Sequence, residues 1–393
     1  MLRGVTMSTI KILHTADNHL DPALTMYRHK INERRKDFWN AFKYVLDYAD
    51  KTKPDLFLIS GDLYDRVNPR NPPRTHILKH FRHLHNKGTK IFLIGGHHDT
   101  PRSVEEGASP LDELAASGYV TYLAGVIKPA IEHVKINDLD VCISGLTYNF
   151  NLAPGEDPLR KSKPGVEGDI NILMLHYTIQ EFASYVVNEP LVRLSNIPSE
   201  INYVAAGHIH EHKEKQRSRT LVAYPGSTER KSFIEEKTEK KGFLWIELNQ
   251  EKIVNKEFIE VPTRPMKTLT YHLTPNTLSP TTEIISYALQ HRDPELILRL
   301  QITGKVPLHT LTKYQRNEIL RRLLDHFFFV IIDDRDLIYK AEKFETVGRL
   351  TPLKAFTDYM NQLIQKENNP QRRRILELAK KIGVEKLEEA GAW

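Results

Sequence analysis

Five short apolar runs in this chain each break off at side chains able to bind a cation, and that repetition narrows the folds open to it. Residues 10–16 run into Asp17-Asn18-His19. Residues 56–59 run into Ser60-Gly61-Asp62 with Asp65 beyond, and residues 90–94 into Gly95-Gly96-His97-His98-Asp99. Residues 170–175 stop at His176, and residues 203–206 at Gly207-His208-Ile209-His210. An uninterrupted apolar run of strand length suits a strand covered on both faces. Sheets of this kind place chemistry outside the carboxyl ends of their strands. Glycine at the break permits a tight turn and a close approach of the backbone. A single break of this sort is an ordinary strand-to-loop turn. Five of them predict one sheet edge on which the ligand-type residues meet.

Composition sets the outer limits. A chain of 393 residues has room for more than one domain, and 40% hydrophobic with 27% charged residues is ordinary for a globular protein. The longest apolar run, residues 327–332, is strand-sized, so no membrane span is expected. The lone Cys142 excludes an internal disulfide and fits a reducing, cytoplasmic setting. No signal-peptide pattern opens the chain, and Met7 is an alternative start. The net charge of +6 permits a polyanionic partner without requiring one.

Between the runs, Phe38, Phe42, Val45, Leu46 and Ala49 share one helical face, and a second amphipathic helix spans residues 75–85. Residues 119–143 alternate like antiparallel strands about an Asn137-Asp138 turn. Residues 149–167 have the composition of an exposed loop, and 242–248 is expected to be the last strand of the first domain. Thr263-Arg264-Pro265 is a candidate linker to a small α/β unit of alternating strands and helices. Thr351-Pro352 then has the form of a helix N-cap, followed by an apolar face of Leu353, Phe356, Met360, Leu363 and Ile364. A further short helix carries Ile375, Leu376, Ala379 and Ile382.

The collected ligand candidates are Asp17, His19, Asp62, His97, His98, His176, His208 and His210. Mixed carboxylate and imidazole donors suit borderline divalent ions such as Mn²⁺, Fe²⁺ or Zn²⁺. So many donors exceed the needs of one ion, whereas a pair ~3.5–4 Å apart with a bridging carboxylate would use them. Such a pair activates water and neutralises a phosphoryl group under in-line attack. Any one of the 18 histidines taken alone is more simply a packed or solvent-facing residue. The argument rests on the joint pattern.

Asp-x-His, Gly-Asp-x-x-Asp, Gly-x-His-Asp, a lone His and Gly-His-x-His, in this order, resemble the calcineurin-like metallophosphoesterases. Within that superfamily the chain is most similar to the SbcD and meiotic-recombination-eleven type of double-strand-break-repair nuclease. The closer match lies in residues 16–20, 60–65, 175–177 and Tyr224-Pro225-Gly226-Ser227-Thr228-Glu229. The resemblance implies an α/β fold, a four-layer α/β/β/α sandwich over residues 8–262. A DNA-binding α/β capping domain would follow over 263–345, and a C-terminal helical segment over 346–393. It implies two divalent ions, most simply Mn²⁺. Asp17, His19, Asp62 and His210 would bind one; His97, His176 and His208 would bind the other, with Asp62 bridging. His98 would be the catalytic histidine; if it instead orients a metal ligand, Asp99 is its expected partner. The family usually carries asparagine at the position of His97, so this chain departs from the pattern there.

The implied activity is a 3′–5′ exonuclease on duplex DNA and an endonuclease on single strands. Its implied partners are an SbcC-like SMC-family ATPase, docked on Leu353, Phe356, Met360, Leu363 and Ile364, and a second copy of the chain. Arg66, Arg70, Arg74, Ser227, Arg230 and Lys231 are candidate contacts to phosphates. Two rival readings use the same fold. One is a phosphomonoesterase or nucleotide phosphodiesterase. The other is a catalytically weak DNA-end scaffold, suggested by His97.

Overall fold

The computed structural model describes residues 8–183, 188–238, 240–339 and 351–391. Its strands through the first part of the chain are β1 (Ile10–Thr15), β2 (Leu56–Ser60), β3 (Lys90–Ile94), β4 (Thr121–Tyr122), β5 (Ala130–Ile136), β6 (Leu139–Leu146) and β7 (Ile170–His176). There follow β8 (Thr178–Ile179), β9 (Leu191–Val192), β10 (Tyr203–Gly207), β11 (Lys213–Arg217), β12 (Thr220–Tyr224), β13 (Gly242–Leu248) and β14 (Ile253–Glu260). The C-terminal part adds β15 (Met266–His272), β16 (Asp293–Val306) and β17 (Phe327–Tyr339). The helices are α1 (Ile31–Thr52), α2 (Asn71–Asn86), α3 (Pro110–Ala116), α4 (Pro280–Leu289), α5 (Leu308–Leu311), α6 (Arg316–Leu323), α7 (Pro352–Lys366) and α8 (Pro370–Glu389).

Two six-stranded sheets face each other, in the orders β14-β13-β1-β2-β3-β4 and β11-β12-β10-β7-β6-β5. β1, β2 and β3 run parallel, as do β6, β7, β10 and β12. Their apolar runs bury both faces. Ile12, Leu58 and Phe92 point from the first sheet into the inter-sheet core, where Ile143, Ile172 and Ala205 meet them. The alternate residues Leu13, Phe57 and Leu93 point outward and pack under α1 and α2. The helical spacing of Phe38, Phe42, Val45 and Ala49 presents an apolar stripe to that face. Truncating a side chain such as the fully buried Phe42 to alanine would cost ~3–5 kcal/mol. Parallel strands share their carboxyl ends, and the breaks after β1, β2 and β3 meet those after β7 and β10, so the expected single sheet edge is instead a rim shared by two sheets.

The outer face of the second sheet is covered by the chain between β6 and β10, whose helical turns among the described residues are the short Gln180–Phe182 and Leu194–Asn196. Tyrosines fill that face, and their hydroxyls bind backbone: Tyr177 Oη accepts from Asn149 N, and Tyr224 Oη from Ile179 N. Two edge strands, β11 and β14, escape a reading by periodicity, because β11 is polar and exposed and β14 mixes apolar and charged residues without alternation. β14 thus follows 242–248 and ends the first sheet instead. The loop over 149–167 is not wholly exposed, since Asp157 and Leu159 are buried and Asp157 accepts from Leu159 N and Arg193 N.

β15, β16 and β17 form a three-stranded parallel sheet with a separate core from Leu269, Leu298, Leu300, Ile284 and Ile319. It leans on the first part through Tyr27, Met266, Ile297, Phe328 and Phe329. Arg264 joins the two parts by pairing with Asp37 and Glu295 while stacking on Phe328 at 3.6 Å. The expected boundary at residues 345 and 346 lies outside the described residues. Beyond it, Thr351 Oγ1 caps α7 by accepting from Lys354 N, and α7 pairs with α8. Met360 is buried, and Phe356 lies over Gly383 of α8, where a Cβ would come within 2.3 Å of the ring. The stripe of α7 therefore faces α8. The freely exposed apolar row belongs to α8: Ile375, Leu378 and Ile382. No helix among the described residues is long and apolar enough to cross a membrane.

Candidate metal centre

The loops after β1 and β2 are stitched together by backbone. Asp17 N donates to Gly61 O, His19 N to Asp62 O, and Leu20 N to Leu63 O. This pairing turns both loops so sharply that Asp17, His19 and Asp62 take left-handed φ values of 52°, 45° and 52°; His208 also takes a positive φ, of 95°. Asn, Asp and His tolerate that region better than other side chains, but it is still a cost concentrated where the ligand candidates lie. Gly96 packs directly on Asp62: a Cβ there would stand 2.2 Å from Asp62 Oδ1. That close approach lets His98 N donate to the same oxygen at 2.8 Å.

Two clusters form around this pair of loops. Asp17, His19 and His210 bring ligand atoms together in one, and His97, His176 and His208 in the other. Asp17, Asp62 and His176 converge between them. Asp62 Oδ2 lies 3.4 Å from His176 Nε2 and 3.8 Å from His19 Nε2, so one carboxylate oxygen addresses both clusters. His19 Nε2 and His210 Nε2 stand 3.0 Å apart, the separation of two donors around one ion. Three of the imidazoles are fixed by a partner in their surroundings. His176 Nδ1 bonds Ser60 O at 2.8 Å, His210 Nδ1 meets Glu235 Oε1 at 3.2 Å, and His208 Nε2 meets Glu189 Oε1 at 2.8 Å. Outer partners of this kind set the tautomer and orientation of metal-binding histidines.

The electrostatics describe a cavity that wants positive charge. Burial would raise the Asp62 carboxyl, but the facing His176 and His19 hold it well below its usual range. Burial would likewise lower His176, yet Asp62 and Asp17 push it up to about 10. A proton on His176 offsets the charge of the facing carboxylates. Burial leaves His97 and His19 as neutral imidazoles, lowered to about 2 and about 4. Neutral imidazole and ionised carboxylate are the forms that bind metal. His176 Nε2 and His97 Nδ1 are buried without a hydrogen-bond partner, an expense that a cation would relieve. The residues present fit a pair of divalent ions.

His98 stands beside the clusters. Its Nδ1 bonds Asp65 O at 3.0 Å, and its Nε2 faces Lys231 Nζ at 3.3 Å. Lys231 Nζ in turn pairs with Asp65 Oδ1 at 2.5 Å, and that same oxygen lies 3.2 Å from His19 Nδ1. Asp65 thus holds His98, His19 and Lys231 at once. Asp99 does not partner His98 as expected. It is buried and accepts from Gly96 N, Leu63 N and Tyr64 N, so it fastens the two glycine loops to each other. Burial and the neighbouring Asp62 raise its carboxyl to about 7.

The candidate phosphate contacts divide. Lys231 sits at the site, and Arg66 lines a cleft of about 330 Å³ together with His98, His97 and Arg102. Arg70 and Arg74 are engaged by Asp21 and Glu113. Ser227 is fully buried, bonded to Glu235 and Lys241, and Arg230 is buried with its guanidinium on Thr263 and Thr238 O. These two are internal supports. Ser227 and Lys241 steady Glu235, which steadies His210. Asp65 stood in the sequence motif, and its spacing from Asp62 was the available signal. Glu189, Glu235, Lys241 and Arg102 gave none, because their roles depend on folding across distant segments.

Comparison with known proteins agrees with this arrangement. The profile of calcineurin-like phosphoesterases matches residues 10–212, from β1 through the Gly207-His208-Ile209-His210 turn. The chain is 31% identical over 245 residues to the DNA double-strand break repair protein Mre11 of Methanocaldococcus jannaschii, a match covering 60% of this chain and 62% of that protein. It is 24% identical over 327 residues to the protein of the same name from Sulfolobus acidocaldarius, covering 81% of each. The first match therefore spans less than two thirds of the relative's own length. A profile match over more than half of the sequence, running just past the last pair of candidate ligand histidines, places the chain in the calcineurin-like phosphoesterase family.

Proposed function

We propose that this chain is a dinuclear-metal DNA nuclease of double-strand-break repair. It would cleave duplex ends 3′–5′ and single strands internally, together with an SMC-family ATPase and a second copy of itself. The observation that carries this reading is Asp62 Oδ2, placed between His176 and His19 where two ligand clusters meet. When bound there, a pair of divalent ions supplies an activated water and neutralises phosphate charge. Asp17, His19, Asp62 and His210 would hold one ion, and His97, His176 and His208 the other with Asp62. The imidazole donors favour Mn²⁺ over Mg²⁺, which prefers oxygen.

His98 and Lys231 then act on the substrate. His98 Nδ1 donates to Asp65 O, so in neutral His98 Nε2 is the accepting atom, and it can hand a proton to the departing oxygen only after taking one up. Lys231, pinned by Asp65, places positive charge next to it. Arg66 and Arg102 extend that charge along the cleft, suiting a polyanionic strand better than a small phosphoester. The ATPase would dock on the α7–α8 pair, and the exposed Ile375, Leu378 and Ile382 present the apolar row for it. Replacing Ile375 and Leu378 by aspartate should abolish co-purification with the ATPase and leave the folded nuclease intact.

Labelled duplex and single-stranded DNA, incubated with chelator-stripped protein and then with Mn²⁺ or Mg²⁺, test the proposal. DNA should be degraded only after metal is restored, and faster with Mn²⁺. Turnover of nucleotides or simple phosphomonoesters with no attack on DNA would replace this reading with the small-substrate one.

A further inference from the structure

At the far edge of the second sheet, away from the rim, three other ligand-type side chains converge. His133 on β5 is the cross-strand partner of Cys142 on β6. Glu167 lies on the segment that leads into β7. One ligand atom from each lies within 4.8 Å of the others. The convergence depends on a close approach of backbone. A Cβ at Gly165 would stand 2.8 Å from Cys142 Sγ and 3.2 Å from Glu167 Oε2, so only a glycine lets this segment lie against the sulfur. Gly165 N is tied to Ser144 Oγ at 2.9 Å, which holds the segment in place. His133 has a carboxylate behind it: Asp140 Oδ2 lies 3.0 Å from His133 Nδ1. A carboxylate on one imidazole nitrogen is the usual outer partner of a metal-binding histidine, and it leaves Nε2 for a cation.

We propose that His133, Cys142 and Glu167 form a separate, mononuclear site for a thiophilic divalent ion, with zinc as the resident metal. Thiolate, imidazole and carboxylate together suit Zn²⁺, with three protein ligands and water in the fourth position. The rim centre contains no sulfur, so the two sites select different ions. Binding turns the Cys142 thiol into thiolate and releases its proton to solvent. The ion joins β5, β6 and the segment before β7, and so fastens an edge strand that otherwise has a neighbour on one side only. The site is independent of the nuclease reading, because none of its residues reaches the rim.

Cobalt tests this in the full chain. Co²⁺ will also fill the rim centre, but a sulfur-to-cobalt charge-transfer absorption in the near ultraviolet can come only from Cys142, the single cysteine. Chelator-stripped protein, with its thiol verified as reduced, should develop this band on titration with Co²⁺ and lose it when Zn²⁺ is added. Cys142→Ser should lack the band. His133→Ala and Glu167→Gln replace exposed side chains and spare the core; each should weaken cobalt binding at this band by ~10–100-fold or more. A wild-type protein with no band at saturating Co²⁺ would overturn the proposal. So would a band whose midpoint in both exposed-residue variants equals that of the wild type.

Discussion

Around Asp17, His19 and His210 the metal centre is backed by charge, whereas around His97, His176 and His208 it is backed largely by aromatic rings. On the first side Glu235 holds His210, Lys241 and Ser227 hold Glu235, and Asp65 holds His19. On the second side His97 lies against Tyr148 with ring centroids 3.5 Å apart and stacks on His208 at 4.6 Å, with Phe150 beyond. Among the described residues, Glu189 is the carboxylate that stands behind the second cluster. The difference teaches which half is tuned by electrostatics and which by shape. A charged backing fixes donor orientation and basicity for a tightly held ion. An aromatic wall excludes water and sets the room available to His97.

Five measurements would break or sharpen this contrast. The largest effect is expected from His98→Ala, which should lower kcat for DNA cleavage ~10²–10⁴-fold with metal content unchanged by elemental analysis. Loss of metal would move His98 into the charged half as a ligand. Lys231→Met should cost ~10²–10³-fold in kcat, as removal of a preorganised donor does, with partial recovery in Lys231→Arg. Glu235→Gln should weaken only one of the two metal-binding steps in titration calorimetry, by ~10–100-fold. If both steps weakened equally, the two halves would not be separable.

His97→Asn should change Mn²⁺ affinity by no more than ~10-fold, or about 1.4 kcal/mol, with activity kept or raised. Loss of the metal would mean the aromatic wall has been rebuilt around imidazole. The smallest effect concerns stability. Burial would raise the Glu189 carboxyl, but its bond to His208 outweighs this and holds it down to about 2 from the usual 4.5. A depressed carboxyl contributes stability above the unfolded value and loses it as pH falls through the folded one. Chelated wild type should therefore melt higher than Glu189→Gln above pH 4.5, and the gap should close as pH falls toward 2. A gap that persisted at pH 2 would assign the effect to packing.

The sequence by itself determined the rim. Apolar runs over 10–16, 56–59, 90–94, 170–175 and 203–206 had to become strands buried on both faces, and the ligand side chains were attached to their ends. The relation is local: a ligand one or two residues past a strand travels with it, whatever the rest of the chain does. His14 shows how locality also misleads. It sits inside such a run, yet it bonds Tyr203 Oη across the sandwich, and burial lowers it to about 3, so it is a core residue. Only the tertiary structure decided which partner each ligand has. Asp65 rather than Asp99 stands behind His98, because two glycine loops meet over Asp99. Ser227 and Arg230 turn inward, because the turn after β12 packs beneath His210 and against the start of the C-terminal part. The edge strands β11 and β14 exist because a neighbour offers them hydrogen bonds, which no pattern within their own residues records. The stripe of α7 faces α8, because the nearest apolar surface covers it first. These outcomes depend on contacts between segments far apart in the chain, and long-range pairing leaves little trace in the composition of either segment alone.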